Sequence, residues 1–396
     1  MRMRAAGLAA ALVAAAALLA CTQGARPVSA APPRTWADAP PTAPVDADAA
    51  YVEAALARMS VRELAASVIM MRVPSRDPAS ARDLVAASGV GGVILMGDDT
   101  QRSPEVAAAL TAALTTDPGL PPLTAVDQEG GIVTRLPDGG PSAAALAGMP
   151  PEATQAAFAE RARLVASGGF TVNFGVVADV TGDPRSFLAP RVFGGDPAAV
   201  AERVAAAVAG EHGVVLTTLK HFPGHGAAPG DSHALIPTTA MSLDEWRAVH
   251  APPFRAGIAA GAELVMLGHL RFTGVDPVPA TLSAEWYRVL RQELGFDGVA
   301  VTDDLWMLTA SGEPAYTDPY ADGVAALAAG ADLLLFVGPI DPRVLTDRIL
   351  EAVDAGRIPT ERLTEAARRV LELRRSVAPS DAPYVRCTGA CLDAVS

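Results

Sequence analysis

Short apolar runs alternate with helix-forming stretches along most of this 396-residue chain, and few architectures accommodate such a pattern. The stretches between the runs, such as Leu243–Ala260, are rich in Ala, Arg and Glu. Near-continuous apolar runs indicate strands buried on both faces, as in a parallel sheet covered by helices. Eight such units predict a (β/α)8 barrel of TIM type, whose usual size fits; a doubly wound open sheet is the alternative. The predicted strands are Val68–Met71, Gly91–Met96, Leu123–Val126, Val172–Val177, Val214–Leu219, Leu264–Leu267, Val299–Val301 and Leu333–Val337.

Titratable residues lie at or just beyond the ends of five of the eight predicted strands. In a barrel of parallel strands, the carboxyl ends meet at one mouth, where binding and catalytic sites are built. A single such residue could cap a helix, but five of eight are difficult to ascribe to capping alone. These residues are Asp127, Asp179, Lys220 with His221, His269, and Asp303 with Asp304.

The segment Lys220–Gly226 and the nearby Asp231-Ser232-His233 concentrate titratable groups on one loop. They include the single lysine of the sequence and three of its six histidines. Glycine and proline in this loop fix a turn and leave room for a ligand to approach the backbone. A carboxylate two residues from an imidazole orients the ring and tunes it as an acid or base.

A strand-end carboxylate opposite a loop-borne acid/base is the arrangement used in covalent glycosyl transfer. One group attacks the anomeric carbon, and the other protonates the leaving oxygen. Because successive side chains of a strand point to opposite faces, we expect one of Asp303 and Asp304 to face the substrate.

Other chemistries suit these residues less well. His221, His225, Asp231 and His233 could ligate zinc, but the neighbouring Lys220 would oppose a cation. A Gly-x-Ser-x-Gly elbow, expected of many serine hydrolases, does not occur in the sequence. The formal net charge of −13 argues against non-specific binding to nucleic acid. We therefore expect no metal, no other cofactor and no nucleic-acid partner.

Taken together, the motifs resemble family 3 of the glycoside hydrolases, in particular its bacterial β-N-acetylhexosaminidase branch in a lipoprotein form. The similarity is colinear from about Tyr51 to Arg375. The segments that carry it are Asp127–Gly131 with Arg135, Arg191–Gly194, Lys220–Gly226 with Asp231–His233, and Thr302–Met307.

The resemblance implies a retaining exo-β-N-acetylglucosaminidase. Asp303 would be the nucleophile that forms a glycosyl-enzyme intermediate. His233 would be the general acid/base, with Asp231 as its partner. His225 and His269 are expected to be structural. The residues implied to hold the hydroxyls of the N-acetylglucosamine ring are Asp127, Arg135, Arg191, Lys220 and His221.

Two residues depart from the pattern of the resembled family. Ile132 stands where an arginine is usual, and Trp306 replaces a small or polar residue. Trp306 could narrow the pocket or stack on an aglycone ring. Three other activities stay open: a β-glucosidase or β-xylosidase of the same family, an N-acetylglucosaminide phosphorylase, and a non-catalytic lipoprotein that binds the cell wall.

The N-terminus predicts export. Arg2 and Arg4 precede a short apolar stretch of small residues, which indicates a signal peptide over residues 1–20 rather than a spanning helix. Cys21 follows as in a bacterial lipobox, so we expect its lipidation and attachment to the outer face of the cytoplasmic membrane. Plain secretion is the alternative.

The remaining regions follow from composition. Residues 21–48 are rich in Pro and Ala and predict a flexible linker. The catalytic domain is predicted over residues 49–376, and the tail 377–396 holds Cys387 and Cys391, which could form a disulfide in an exported protein. We expect a monomer that acts on peptidoglycan fragments (muropeptides).

Overall fold

The computed structural model describes residues 46–73 and 75–378. The predicted signal peptide, the predicted lipidation site Cys21, nearly all of the predicted linker and the pair Cys387 and Cys391 lie outside these residues. None of the helices within the described ranges is both long and apolar enough to cross a membrane.

Eight parallel strands form a barrel in which neighbours in space are neighbours in the chain. The last strand returns to the one before it through a parallel bridge between Val301 and Leu333, and Thr302 N donates to Leu333 O at 3.0 Å. The predicted barrel is confirmed, and the doubly wound sheet is excluded because the sheet closes on itself. The barrel strands are β1 (Ile69–Arg72), β2 (Gly92–Ile94), β3 (Leu123–Val126), β4 (Val172–Val177), β5 (Leu216–Phe222), β7 (Leu264–Leu267), β9 (Val299–Thr302) and β10 (Leu334–Phe336).

A two-stranded sheet, which the sequence analysis missed, lies apart from the barrel sheet and pairs β6 (Thr238–Thr239) with β8 (Arg271–Phe272). Short 3-10 turns occur at His225–Ala227 and Ala280–Leu282, and a π-helical turn at Val289–Glu293. The α-helices are α1 (Ala47–Leu56), α2 (Val61–Ser67), α3 (Pro78–Ser88), α4 (Pro104–Ala113), α5 (Ala143–Leu146), α6 (Pro151–Ser167), α7 (Pro197–Glu211), α8 (Leu243–Val249), α9 (Ala251–Ala259), α10 (Ala284–Arg288), α11 (Trp306–Ala310), α12 (Pro319–Ala329), α13 (Pro342–Asp354) and α14 (Thr360–Ser376).

Local chemistry sets where the helices begin and end. Ser242 starts α8 with a capping box, in which its hydroxyl accepts from Glu245 N and the Glu245 side chain accepts from Ser242 N. The stretch Leu243–Ala260 is helical as its spacing predicts, but it divides into α8 and α9. Two consecutive prolines occupy the first turn of α9, where they lack N–H donors and obstruct the carbonyls before them, so the helix breaks at His250.

Side chains of the barrel strands alternate between the barrel interior and the layer beneath the helices. In β9, Val299 and Val301 pack inside, whereas Ala300 packs against the helical layer. The interior row continues past the end of the strand, so Asp303 takes the next inward position. The same alternation directs Asp127 inward after β3. The fold thus aims both carboxylates at the mouth of the barrel.

Glu211 is a buried carboxyl at the end of α7, and it contributes a pH-dependent term to stability. Its Oε1 accepts a hydrogen bond from Asn173 Nδ2 at 2.6 Å. Burial raises the pKa of Glu211 to about 7, which the hydrogen bond from Asn173 opposes only in part. In the unfolded chain this group ionises near its ordinary value, so the folded state binds the proton more tightly.

We expect Glu211→Gln to stabilise the protein at pH 8 but not at pH 4. In the parent protein, the stability that protonated Glu211 contributes is lost as pH rises from about 4.5 through about 7. The amide of the variant stays neutral over this range and still accepts from Asn173. The difference in free energy of unfolding should grow by on the order of 2–3 kcal/mol between these pH values, measured by urea titration. Glu202→Gln, an exposed position on the same helix, is the control. A difference that does not vary with pH would contradict the prediction.

Candidate active site

A cavity of about 210 Å³ opens at the carboxyl ends of the barrel strands. It is smaller than the roughly 300 Å³ at which pockets for drug-sized ligands begin, which suits a single sugar ring. Inward-facing apolar side chains and titratable groups share its wall. The lining residues are Ile94, Met96, Asp127, Glu129, Val133, Arg135, Phe187, Arg191, Lys220, His221, His225, Ser232, His233, Met266, Asp303, Asp304, Met307, Leu335 and Val337.

All of the predicted site residues except Asp231 border this cavity. Strand β5 extends beyond its predicted end, so Lys220 and His221 lie within the strand rather than after it. The extension is possible because the buried ammonium has partners: Lys220 Nζ lies 2.7 Å from Glu129 Oε1 and 3.1 Å from Asp127 Oδ1. A buried charge is tolerated where such pairing replaces water.

Glu129 is a site residue that the sequence analysis did not single out. Arg191 donates to both of its carboxylate oxygens, at 2.8 and 2.7 Å. Burial opposes the charge, but Lys220 and Arg191 outweigh it and lower the pKa of Glu129 to about 2. Its position two residues after Asp127 was the available signal. Glu129, Arg191, Lys220 and Asp127 thus form an ionic network along one wall of the cavity. Arg135 extends it, with its Nη2 3.3 Å from Asp127 Oδ2.

Asp179 anchors the opposite part of the site from a position buried at the end of β4. It accepts from His221 N, lies 2.7 Å from His221 Nδ1, and accepts from His225 N at 2.6 Å. Burial opposes ionisation, but the His221 charge and hydrogen bond lower the pKa of Asp179 below its usual range. Since Nδ1 of His221 is engaged, Nε2 is the ring nitrogen available to a ligand in the cavity.

Asp303 borders the cavity as an ionised carboxylate. Burial acts against its charge, but the imidazoles of His221 and His269 and the Asp304 amide lower the pKa of Asp303 below its ordinary value. Asp304 N donates to Asp303 Oδ1 at 2.8 Å. A carboxylate held in this form at neutral pH can act as a nucleophile.

Asp304 also borders the cavity, in contrast to the expectation that one member of the pair faces it. Its Oδ1 accepts from Val337 N at 2.9 Å and from Trp306 N at 3.1 Å. Burial, with a smaller effect from the Asp303 charge, raises the pKa of Asp304 to about 6. The carboxylate of Asp304 therefore joins the ends of β9 and β10, while that of Asp303 is oriented by one local amide.

His233 stands at the rim of the cavity with its predicted partner. His233 Nδ1 lies 2.6 Å from Asp231 Oδ1, and the two side chains are 64% and 47% exposed. Burial opposes the Asp231 charge, but the backbone amide and ring of His233 together outweigh it and lower the pKa of Asp231 below its usual range. The imidazole can thus exchange protons with solvent and with a ligand.

The three histidines considered as zinc ligands each bind a different partner, and the fourth candidate, Asp231, is one of those partners. His221 is held by Asp179, His225 by Ser232, and His233 by Asp231. Over residues 46–73 and 75–378, no group of three or more His, Cys, Asp or Glu side chains is placed to hold a metal ion.

The two departures from the resembled family both lie outside the cavity lining. Ile132 is 68% exposed at the tip of a turn closed by a bridge between Gly130 and Val133. Trp306 packs on Gly338, where a Cβ would come within 2.4 Å of the indole ring. The Trp306 ring is turned against the backbone after β10 and does not narrow the cavity, whereas its stacking on an aglycone ring stays a prediction.

Residues 58–373 match the family model described as the glycosyl hydrolase family 3 N-terminal domain. The chain belongs to glycosyl hydrolase family 3. The predicted family and the predicted class of enzyme, a glycosidase, are confirmed.

Two similar proteins are named β-hexosaminidases. A β-hexosaminidase from Stenotrophomonas maltophilia is 36% identical over 300 residues, which are 72% of this chain and 86% of the relative. β-Hexosaminidase LpqI of Mycobacterium tuberculosis is 34% identical over 381 residues, or 92% of this chain and 96% of the relative.

Two solved structures share the fold. That of M. tuberculosis LpqI aligns with a TM-score of 0.74 and 32% identity over 81% of this chain and 95% of that one. A family 3 β-N-acetylglucosaminidase from Paenibacillus aligns with a TM-score of 0.73 and 31% identity, over 85% of this chain and 68% of that one.

Proposed function

We propose that this family 3 enzyme is a retaining exo-β-N-acetylglucosaminidase. The observation that carries the proposal is one cavity of single-ring size, bordered by the ionised Asp303 and by His233 on a solvent-exposed loop. The carboxylate comes from the barrel and the imidazole from a loop above it, so the two groups can act on the same glycosidic bond.

The reaction proceeds in two displacements. Asp303 forms a bond to the anomeric carbon while the bond to the leaving oxygen breaks, and His233 gives that oxygen its proton. Water then attacks the glycosyl ester on Asp303, His233 takes the water proton, and the carboxylate departs. Two inversions give net retention. Asp231 orients the imidazole and stabilises its protonated form.

The ionic network binds the sugar. Asp127, Arg135, Arg191 and Lys220 offer charged donors and acceptors to its hydroxyls, and charge-assisted hydrogen bonds are stronger than neutral ones. His221 offers a ring nitrogen beside them. The small cavity has room for a terminal residue, which supports exo action. Met266 and Met307 present apolar surface to an acetamido methyl group. The β-hexosaminidase names of the relatives support the N-acetylated sugar.

The natural substrate that we propose is a muropeptide, from which terminal N-acetylglucosamine is removed. This proposal rests on the sugar class and on the export signal with Cys21, which would tether the enzyme by lipid on the outer face of the cytoplasmic membrane.

Parallel assays test the sugar, and product analysis tests the glycan. We expect hydrolysis of an aryl β-N-acetylglucosaminide to exceed that of the matching glucoside and xyloside, with the β-anomer of N-acetylglucosamine formed first in NMR spectra. Mass spectrometry of purified cell-wall fragments should show the loss of one N-acetylhexosamine. Faster turnover of the glucoside or xyloside would instead identify a β-glucosidase or β-xylosidase. Binding of cell-wall fragments without turnover would instead identify a non-catalytic binding protein.

Phosphate is a second acceptor that one observation favours. The exposed imidazole of His233 is neutral after it gives up its proton, so it does not repel an anion as a carboxylate would. Incubation of substrate with enzyme in phosphate buffer distinguishes the two reactions. The appearance of N-acetylglucosamine 1-phosphate would identify a phosphorylase, and its absence would leave water as the acceptor.

A further inference from the structure

We propose that the hydrogen bond between Ser232 and His225 is a latch that fixes the working position of the His233 imidazole. Ser232 and His225 are then positioning residues, and neither needs to touch the reacting atoms. The inference rests on the proposed role of His233 as the acid/base.

Ser232 is the buried point of an otherwise solvent-facing stretch. From Pro229 to Leu235, the other residues are exposed or half-buried, whereas Ser232 is 3% exposed. Its Oγ lies 2.8 Å from His225 Nε2. Because Asp231 and His233 flank Ser232, the one buried hydroxyl determines where the exposed pair stands above the cavity.

His225 is suited to hold the latch because the barrel fixes it. Its backbone N–H donates to Asp179 at 2.6 Å, and its ring meets that of Phe187 edge-on with centroids 4.9 Å apart. At the next residue, a Cβ on Gly226 would lie 2.0 Å from Val180 O, so the chain lies directly against the end of β4. His225 was predicted to be structural, and its ring borders the cavity while it binds Ser232 of the loop.

The latch is uncharged. Burial, with a smaller effect from His221, lowers the pKa of His225 to about 4, so the ring is neutral near pH 7. A neutral hydrogen bond can open without leaving an unpaired buried charge, which is compatible with a loop that admits and releases sugar.

The latch also connects the loop to the sugar-binding residues. One carboxylate, that of Asp179, holds both His221 at the cavity and His225 at the latch. Phe187 contacts His225 and lies with its ring centroid 6.4 Å from that of His233. The placement of the imidazole is therefore set by the same residues that shape the sugar site.

Ser232→Ala tests the latch through the leaving group of the substrate. For an unactivated N-acetylglucosamine disaccharide, whose leaving oxygen needs a proton, we expect kcat/KM to fall by about tenfold. For a dinitrophenyl N-acetylglucosaminide, kcat/KM should stay within about twofold, because that leaving group departs without a proton. For this activated substrate, kcat and KM should fall together, because hydrolysis of the glycosyl ester is slowed when the base is less well placed.

Two further variants control the experiment. Ser232→Thr retains the hydroxyl and should restore disaccharide turnover. Ser67→Ala removes another buried serine hydroxyl, which does not line the cavity and donates to Leu64 O over 2.8 Å. It should not change kcat/KM for one substrate more than for the other. If Ser232→Ala does not fold, His225→Phe, which keeps a ring beside Phe187 but has no Nε2 to bond Ser232, takes its place with the same expected selectivity.

Each outcome decides the matter. Equal loss on both substrates would mean that the bond supports only the fold, and unchanged kinetics on both would mean that it does not place the imidazole; either result overturns the proposal. The proposed function fails separately, if His233→Ala itself shows no dependence on the leaving group.

Discussion

Asp303→Ala is expected to reduce kcat/KM on any N-acetylglucosaminide by roughly 10⁴-fold or more, because the covalent step loses its nucleophile. Asp303 continues the inward row of β9 and is held ionised by neighbouring imidazoles. The shortened side chain leaves space for a small anion. Added azide or formate should therefore restore part of the turnover of an activated aryl glycoside, with product of inverted configuration.

Asp304→Asn is the matched control for the loss of Asp303. It changes the adjacent carboxyl, but its amide oxygen can still accept from Val337 N and Trp306 N. We expect a far smaller loss and no rescue by azide. If Asp304→Asn proved as damaging as Asp303→Ala, and azide did not restore turnover to Asp303→Ala, the nucleophile would have been assigned to the wrong member of the pair.

His233→Ala is expected to lower kcat/KM by about 10²- to 10⁴-fold on substrates with poor leaving groups. Activated aryl glycosides should lose little in kcat/KM, since their leaving oxygen does not require a proton. Their kcat should still fall, because the imidazole also activates the attacking water. Steady-state kinetics on a series of aryl glycosides, plotted against leaving-group pKa, measures the difference.

Asp231→Asn is the companion variant for His233. It keeps a hydrogen-bond acceptor near Nδ1 but removes the charge, which at present lies 2.6 Å from the ring. An intermediate loss with the same dependence on the leaving group is expected. Equal losses across the aryl series for His233→Ala would show that the proton comes from another group.

Strand alternation explains why much of the site could be predicted from the sequence. Asp127, Lys220 and Asp303 follow or end apolar runs, and a parallel barrel brings the carboxyl ends of its strands to one mouth. Asp231 and His233 are only two residues apart, so their pairing is a local contact. Such local or periodic relations can be recognised from the amino-acid sequence alone.

The remaining features depend on contacts between distant segments. The role of Glu129 requires Arg191, 62 residues away, and Lys220, and neither pairing leaves a periodic signal. The bond between Ser232 and His225 depends on a loop folding back on itself. The direction of the Trp306 ring is set by Gly338, whose lack of a side chain makes room for it. Tertiary packing decides such details.

Asp303 and His233 sit on parts of the molecule that differ in how firmly they are held. The carboxylate belongs to the innermost layer of the barrel, which opens only with global unfolding, whereas the imidazole rides on an exposed stretch that can open locally at lower free energy. Mild denaturant or heat should thus abolish proton transfer by His233 before the barrel unfolds. Under these conditions the enzyme would cleave only glycosides whose leaving group departs without being protonated.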